Sequence, residues 1–293
     1  MASILDRYGI KEVADVTFYE ITNEGKQGAP VLYLDTLKVS TIEQTAETSD
    51  ARGGKGNPKL ITWDYGKDIT VTLEDALFSA KSLAIMFGDG TVNSAAGTVT
   101  RTVMVRLDGT KKLPDFFTAD VLHKDAAGNS KGAMRKKVYF TKNTGLAENE
   151  VHIAASGLTL VSITSEKGTT QAISNASSIT LPNDVAANEK VFITYTVPAQ
   201  KKEIVVSADT FPGTYYVTGD TYARSDVTGD DQFFQFIIQK AKVTSENTIT
   251  LEAEGDPSVF NMNLTVLRPE DGEMMRLVQY DLIDGTASTM LED

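Results

Sequence analysis

The stretch EQTAETSDARGGKGNPKLITWDYGKDITVTLEDALFSAKSLAIMFG, residues 43–88, decides how the rest of the chain is read. Its first part, Glu43–Lys59, is polar, holds Gly53, Gly54 and Gly56, and has almost no large apolar side chain. Such a segment buries too little surface to offset the entropy of ordering itself, so it is read as a long loop that neighbours must order. Next, Leu60–Leu73 reads as two strands with a turn at Asp64, Tyr65, Gly66 and Lys67. Within it Ile69, Val71 and Leu73 alternate with Asp68, Thr70 and Thr72, the period of a half-buried strand. Last, Leu77, Ala80, Leu83, Ala84 and Phe87 fall at helical spacing and stop at Gly88, which predicts a short helix within Glu74–Phe87 and a cap. Structureless loops beyond ~12–15 residues are rare in a compact domain unless they have a function.

Outward from this stretch the chain reads as strands. Residues 1–28 read as an N-terminal arm with Val16, Phe18 and Ile21 as possible sheet contacts and a turn at Asn23–Gly28. Val31–Ile42 reads as one long strand and Val99–Leu107 as another. Phe116–His123 and Ala133–Phe140 flank the turn signal Asp125–Asn129 and predict a hairpin. Composition changes at about Leu146, and residues 151–197 become rich in Ser, Thr, Ala, Val and Ile. Aromatic strands return at Tyr215–Val217, Phe233–Ile238, Ile249–Ala253 and Phe260–Val266. The expected division is therefore an arm at 1–28, a main β domain at 29–150 and 198–285, an inserted small β domain at 151–197, and a tail at 286–293. The spacing of the strands predicts an all-β antiparallel sandwich or barrel with one short helix.

Composition excludes several classes. With 293 residues the chain can bury a sizeable core. It contains no cysteine, which removes disulfides, thiol catalysis and thiolate zinc sites. The net charge of −12 argues against a phosphate-gripping surface. No apolar run reaches the ~20 residues of a membrane span. The opening MASILDRYGIKEVADVTF lacks a basic segment followed by an apolar run, so assembly in a cytoplasm, or release by lysis, is expected.

Candidate chemistry is sparse. His123 and His152, the only histidines, sit in strand-like contexts and read as structural. Gly53–Gly56 lacks the spacing of a phosphate loop, and Asn57-Pro58 follows it instead of a helix. The turn DVTGDD, Asp226–Asp231, lacks the helix-flanked pattern of a calcium loop. Glu252 and Glu254 share one strand face, which suits a solvated or channel-lining side better than a glycosidase pair. No catalytic residue, metal ligand or cofactor is expected. A glycine-bearing loop and exposed sheet edges make sense if neighbouring subunits cover them.

Two runs carry a resemblance: TAETSDARGGKGNPKLITWDYGKDITVTLEDALFS, and YARSDVTGDDQFFQFIIQKAKVTSENTITLEAEGDPSVFNMNLTVLR nearer the C-terminus. Together, over roughly 29–145 and 203–282, the chain resembles major tail tube proteins of tailed bacteriophages, in the larger form found in phages of Gram-positive bacteria. That resemblance implies a β-sandwich with a flanking helix, hexameric rings whose inner sheets join into one barrel, and rings stacked into a tube in the virion. It implies a loop reaching the next subunit or ring, here carrying Glu43, Asp50, Arg52, Gly53, Gly54, Lys55, Gly56 and Asn57. It also implies an acidic channel. By alternation the channel-facing candidates are Asp68, Thr70, Thr72 and Glu74, with Thr250, Glu252 and Glu254 on a later strand. The implied partners are other copies of the chain, a tape-measure protein and DNA inside the tube, a sheath outside, and baseplate and terminator proteins at its ends. The 151–197 insert, which smaller members lack, is expected on the outside as an independently folded decoration. Other readings are a tail-like bacteriocin tube, a terminator or baseplate hub of the same fold, and a carbohydrate-binding adhesion module.

Overall fold

The computed structural model describes residues 7–10, 12–124, 127, 129–140, 146–147, 149–175, 179–245 and 259–280. In chain order the elements are β1 (Tyr8–Ile10), β2 (Asp15–Ile21), β3 (Gln27–Leu34), β4 (Leu37–Arg52), β5 (Lys59–Asp75), α1 (Ala80–Phe87), β6 (Asn93–Arg106), β7 (Phe116–Lys124), β8 (Ser130–Tyr139) and β9 (Glu150–His152). There follow α2 (Ile153–Ser156), β10 (Thr159–Ser165), β11 (Thr170–Ala172), β12 (Lys190–Glu203), β13 (Thr214–Ser225), β14 (Asp231–Val243), β15 (Phe260–Val266) and β16 (Arg276–Tyr280). The fold is all-β and antiparallel in its main sheet, as the strand spacing predicts, with one helical turn, α2, beyond the expected helix.

The chain divides into two units, residues 1–93 with 203–293, and residues 94–202. The first unit holds a nine-stranded sheet of order β3-β2-β13-β14-β15-β5-β4, with β1 on β13 and β16 on β14. Its inward residues form one core: Val16 and Phe18 from β2, Val71 and Leu73 from β5, Ile238 from β14 and Leu264 from β15 are all fully buried. Each side chain of this size contributes ~1.5–3 kcal/mol on leaving water. The predicted arm is thus in part a structural strand, because Val16 and Phe18 supply core volume that nothing else fills. Its turn stands where expected: Thr22 and Lys26 exchange hydrogen bonds around Gly25.

Helix α1 begins at Ala80, later than the sequence pattern suggests. The Asp75 carboxylate accepts hydrogen bonds from the Thr36 hydroxyl and from the Leu77 N–H, and so holds the chain in a turn after β5. Ser79 then caps the helix: its Oγ accepts the Ser82 N–H at 3.0 Å while Ser82 Oγ accepts the Ser79 N–H at 2.9 Å. Such a reciprocal cap contributes about 1 kcal/mol. The late start changes the buried face. Ile85 and Met86 enter the core, while Leu77 stays exposed. Gly88 ends the helix as expected, its N–H donating to the Ala84 carbonyl, but in an extended conformation.

The second unit has its own core. Sheets of order β11-β10-β12-β6 and β7-β8-β9 bury Leu107, Phe117, Val138, Ile163, Val191 and Ile193. The predicted hairpin is present as β7 and β8, with Phe117 opposite Val138. The unit runs from Ser94 to Lys202, wider than the expected insert of 151–197, because β6 is hydrogen-bonded to β12 and shares its core. Charge is divided unequally between the two units. Residues 94–202 carry 14 Lys and Arg against 9 Asp and Glu, a net +5, and the remainder carries 14 against 31, a net −17. The acidity of the chain therefore belongs to the nine-stranded unit.

This division makes a prediction for truncation. In the first unit, the position a Gly88 Cβ would occupy lies 3.5 Å from the Val205 carbonyl oxygen, so the chain leaves and re-enters that unit at neighbouring points. Replacing residues 94–202 by a short flexible linker is expected to leave a cooperatively folding nine-stranded unit. Removing only 151–197 takes away β10 and most of β12 and should leave β6 unpaired, with molten or aggregated protein. Thermal melts of the two deletions, monitored by circular dichroism, distinguish them; equal cooperativity in both would count against the wider unit.

A polar sheet face and a projecting ribbon

Where β4, β5, β15 and β14 run side by side, one face is apolar and the other polar. Ile69, Val71, Leu73, Met262, Leu264, Val266, Ala241 and Val243 point into the core. Their neighbours point the opposite way, since successive side chains in a strand alternate. Register places these neighbours in rows. Val39 lies opposite Glu74, which lies opposite Asn261; Thr41, Thr72 and Asn263 form the next row. A third row is Glu43, Thr70, Thr265 and Lys242, and a fourth pairs Thr45 with Asp68. The face is thus mainly Thr and Asn, with Glu43, Asp68 and Glu74 as its acids and Lys242 as a cation. The sequence-derived candidates Asp68, Thr70, Thr72 and Glu74 do share it. Thr250, Glu252 and Glu254 lie outside the described residues. Thr41, Asn261, Asn263, Thr265 and Lys242 complete the face, and the alternation FNMNLTV over 260–266 was the signal for three of them.

The segment expected to be a loop is mostly strand. Glu43–Arg52 belongs to β4 and pairs with β5 down to Arg52 opposite Lys59, so only residues 53–58 form a turn. The backbone hydrogen bonds of a ladder supply the order that its side chains cannot. Nor do residues 64–67 make a turn. The ladder passes from Thr45 opposite Asp68 to Glu47 opposite Tyr65, which leaves an extra residue on β5 at a bulge. Gly66, with φ +59°, occupies that bulge, where a left-handed backbone favours glycine. Val31–Ile42, expected as one strand, is interrupted at Asp35-Thr36.

Beyond the core the β4–β5 pair continues as a two-stranded ribbon with both faces exposed. On one face stand Ile61, Trp63 and Tyr65, 54%, 53% and 53% exposed. Opposite them are Ala51, Ser49 and Glu47, two of them too small to cover the rings. At the tip Asp50 accepts hydrogen bonds from Thr62 Oγ1 at 2.8 Å, and its carboxylate pairs with Lys59 at 2.7 Å and Arg52 at 3.3 Å. These contacts, with that to Lys59 largest and Thr62 next, hold the Asp50 carboxyl below its usual pKa. A depressed carboxyl stabilises the folded tip above its unfolded pKa of about 4 and ceases to do so as pH falls through the lower folded value. Amide protection factors at Thr62 and Lys59, taken relative to intrinsic exchange at each pH, should therefore fall below about pH 4, and an Asp50→Asn variant should lose that acid step. An unchanged step in the variant would assign it to another group.

Among the described residues no cluster of His, Asp or Glu converges in a way that could hold a metal ion, and no helix is long and apolar enough to cross a membrane. The turn Asp226–Asp230 is instead organised by Ser225, whose Oγ accepts the Val227 and Thr228 N–H groups at 3.3 Å. What the site offers is surface: a polar sheet face, and an apolar stripe on a ribbon that its own domain leaves uncovered. No curated protein matches the chain. The model of one family, the YomU/Tube protein family, matches residues 8–122 and 124–279. That match spans most of both units, and the chain belongs to the YomU/Tube protein family.

Proposed function

We propose that this protein is the repeating subunit of a bacteriophage tail tube, forming stacked hexameric rings through which DNA passes into the host. The observation that carries the reading is the pairing of a continuous polar face with an uncovered apolar ribbon on the same two strands. A monomer has no use for a half-exposed Trp, Tyr and Ile on a two-stranded ribbon, which is marginally stable alone and prone to aggregate. A ring uses it as the contact between copies. Closing β4-β5-β15-β14 sheets around an axis removes their edges and turns the polar face inward. Membership in the YomU/Tube family supports the same role. The ribbon, with Asp50, Arg52, Gly53, Gly54, Lys55, Gly56 and Asn57 at its tip, then reaches the next subunit or ring. Glu43 belongs with the channel face instead.

In this reading Asp68, Thr70, Thr72 and Glu74 line the channel. Repeated around the ring, their charges keep a polyanion off the wall, with screening over ~8 Å at physiological salt. The −17 charge of the nine-stranded unit suits that task. The tape-measure protein shares the channel before DNA, terminator and baseplate proteins close the tube's ends, and a sheath, where there is one, surrounds it. The tube assembles in the host cytoplasm and acts in the virion.

Negative-stain microscopy of purified protein tests the class: rings or tubes with six-fold symmetry are expected, and a protein that stays monomeric at all concentrations overturns the reading. The channel assignment is tested in particles carrying Asp68→Lys with Glu74→Lys. Tubes of normal shape with DNA ejection slowed about tenfold or more are expected, because cations on the wall bind phosphate. Normal ejection would turn these side chains away from the channel.

A further inference from the structure

We propose that the ribbon of one copy docks on the β13–β14–β16 face of another, its basic tip against the β13–β14 turn and its apolar stripe across the aromatic row beside that turn. This rests on the self-assembly reading above and names the surface that receives the ribbon. The receiving face is defined by register. Tyr222 on β13 lies opposite Phe233 on β14, which lies opposite Tyr280 on β16. Their rings form a continuous row, with centroids 5.3 Å apart in each pair and the second pair stacked at 15°. Tyr222 is 50% exposed and Tyr280 37%, so the row presents aromatic surface that its own domain does not cover.

Charge complementarity selects the occupant. At the ribbon tip Arg52 and Lys59 share the single carboxylate of Asp50, and Lys55 adds a further cation with no acid between Ala51 and Trp63. At the receiving turn the signs are reversed. Arg224 is engaged by Asp231 through two contacts of 2.7 Å, which leaves Asp226 and Asp230 as excess negative charge. The order of features also matches. Along the ribbon Trp63 follows Lys59 by four residues, about 13 Å of strand. On the receiving face Tyr222 precedes Asp226 by four residues and Phe233 follows Asp231 by two, a comparable step of about 7–13 Å. Seating the tip at the turn therefore brings the stripe to the row. The contact is heterologous, using different patches on the two copies, and such contacts generate rings or open stacks.

Two measurements on the full chain test this. The chain has no cysteine, so Ser49→Cys, beside Trp63 on the ribbon, and Gln235→Cys, beside Phe233 on the face, introduce the only thiols while keeping every aromatic side chain. Treated with a short bismaleimide after assembly, the double variant should give a ladder of linked oligomers, and each single variant should give none. Independently, Asp226→Lys with Asp230→Lys should raise the protein concentration needed for assembly about tenfold or more, and adding Lys55→Asp with Lys59→Asp should restore it. Trp63, the sole tryptophan, reports the same event in the unaltered chain, through a blue-shifted emission on assembly. Rings that form with no ladder, and with no response to the charge exchange, overturn this docking and leave the ring reading standing. An unaltered chain that remains monomeric overturns both.

Discussion

Replacing Ile61, Trp63 and Tyr65 together with threonine will yield a folded subunit that no longer assembles. The three side chains are more than half exposed and add nothing to the core, so truncating them is expected to change subunit stability by less than about 0.5 kcal/mol. Threonine keeps the β preference of the ribbon and its ladder with Ala51, Ser49 and Glu47. In an assembly the exposed half of each side chain would be buried, worth about 0.8–1.5 kcal/mol apiece on the area scale. Ordering the ribbon and fixing the partner consume part of that, so about 2 kcal/mol per contact is a reasonable net loss. That corresponds to roughly a thirtyfold rise in the concentration needed to assemble. Size-exclusion chromatography against a thermal melt reads the two effects separately. Assembly at the usual concentration would free the stripe from any role between copies, and a lowered melting temperature would make it part of the fold.

The second large effect lies in the core. Gly219→Val is expected to prevent the nine-stranded unit from folding, and Gly219→Ala to destabilise it by about 3 kcal/mol. Gly219 on β13 faces Phe236 on β14, and the Phe236 ring occupies the space a side chain at 219 would need. A Cβ at 219 would come within 2.1 Å of two ring carbons, well inside contact distance. The ring has no room to retreat, because Phe236 is 3% exposed and belongs to the same core as Val217 and Ile238. Gly109→Ala is the control: a Cβ there meets nothing within 4 Å, so its effect should stay within about 0.5 kcal/mol. Urea titrations of the three variants give the comparison. Equal midpoints for Gly219→Ala and the unaltered chain would show that the core yields at this point.

Much of the architecture was legible in the residues because strands that bury one face must alternate. Ile69, Val71 and Leu73 announced both the core face and, by exclusion, the polar set Asp68, Thr70, Thr72 and Glu74. The hairpin of β7 and β8 was legible from its turn residues, and the helix from its spacing, although its start was not. Asp75 sets that start through a contact with Thr36, a residue 39 positions away that no local pattern includes. The ribbon misled for a related reason. Glu43–Arg52 has the composition of a loop, and Asp64–Lys67 has the glycine of a turn. Pairing between two strands depends on what lies across the ladder, and the bulge at Gly66 lets β5 continue where local sequence suggests reversal.

The sequence by itself determined the class: an acidic, all-β chain without cysteine, with alternation strong enough to name half of a sheet face. These are properties of composition and period, which each residue carries wherever the chain goes. Only the tertiary structure decided which residues share a surface. It put Asn261, Asn263, Thr265 and Lys242 beside Thr70 and Glu74, set Tyr222, Phe233 and Tyr280 in one row, and moved the boundary of the second unit to Ser94. Those facts depend on register between strands far apart in the chain. A shift of one residue would turn every side chain to the opposite face, and the choice is made by the packing of the core against the apolar face.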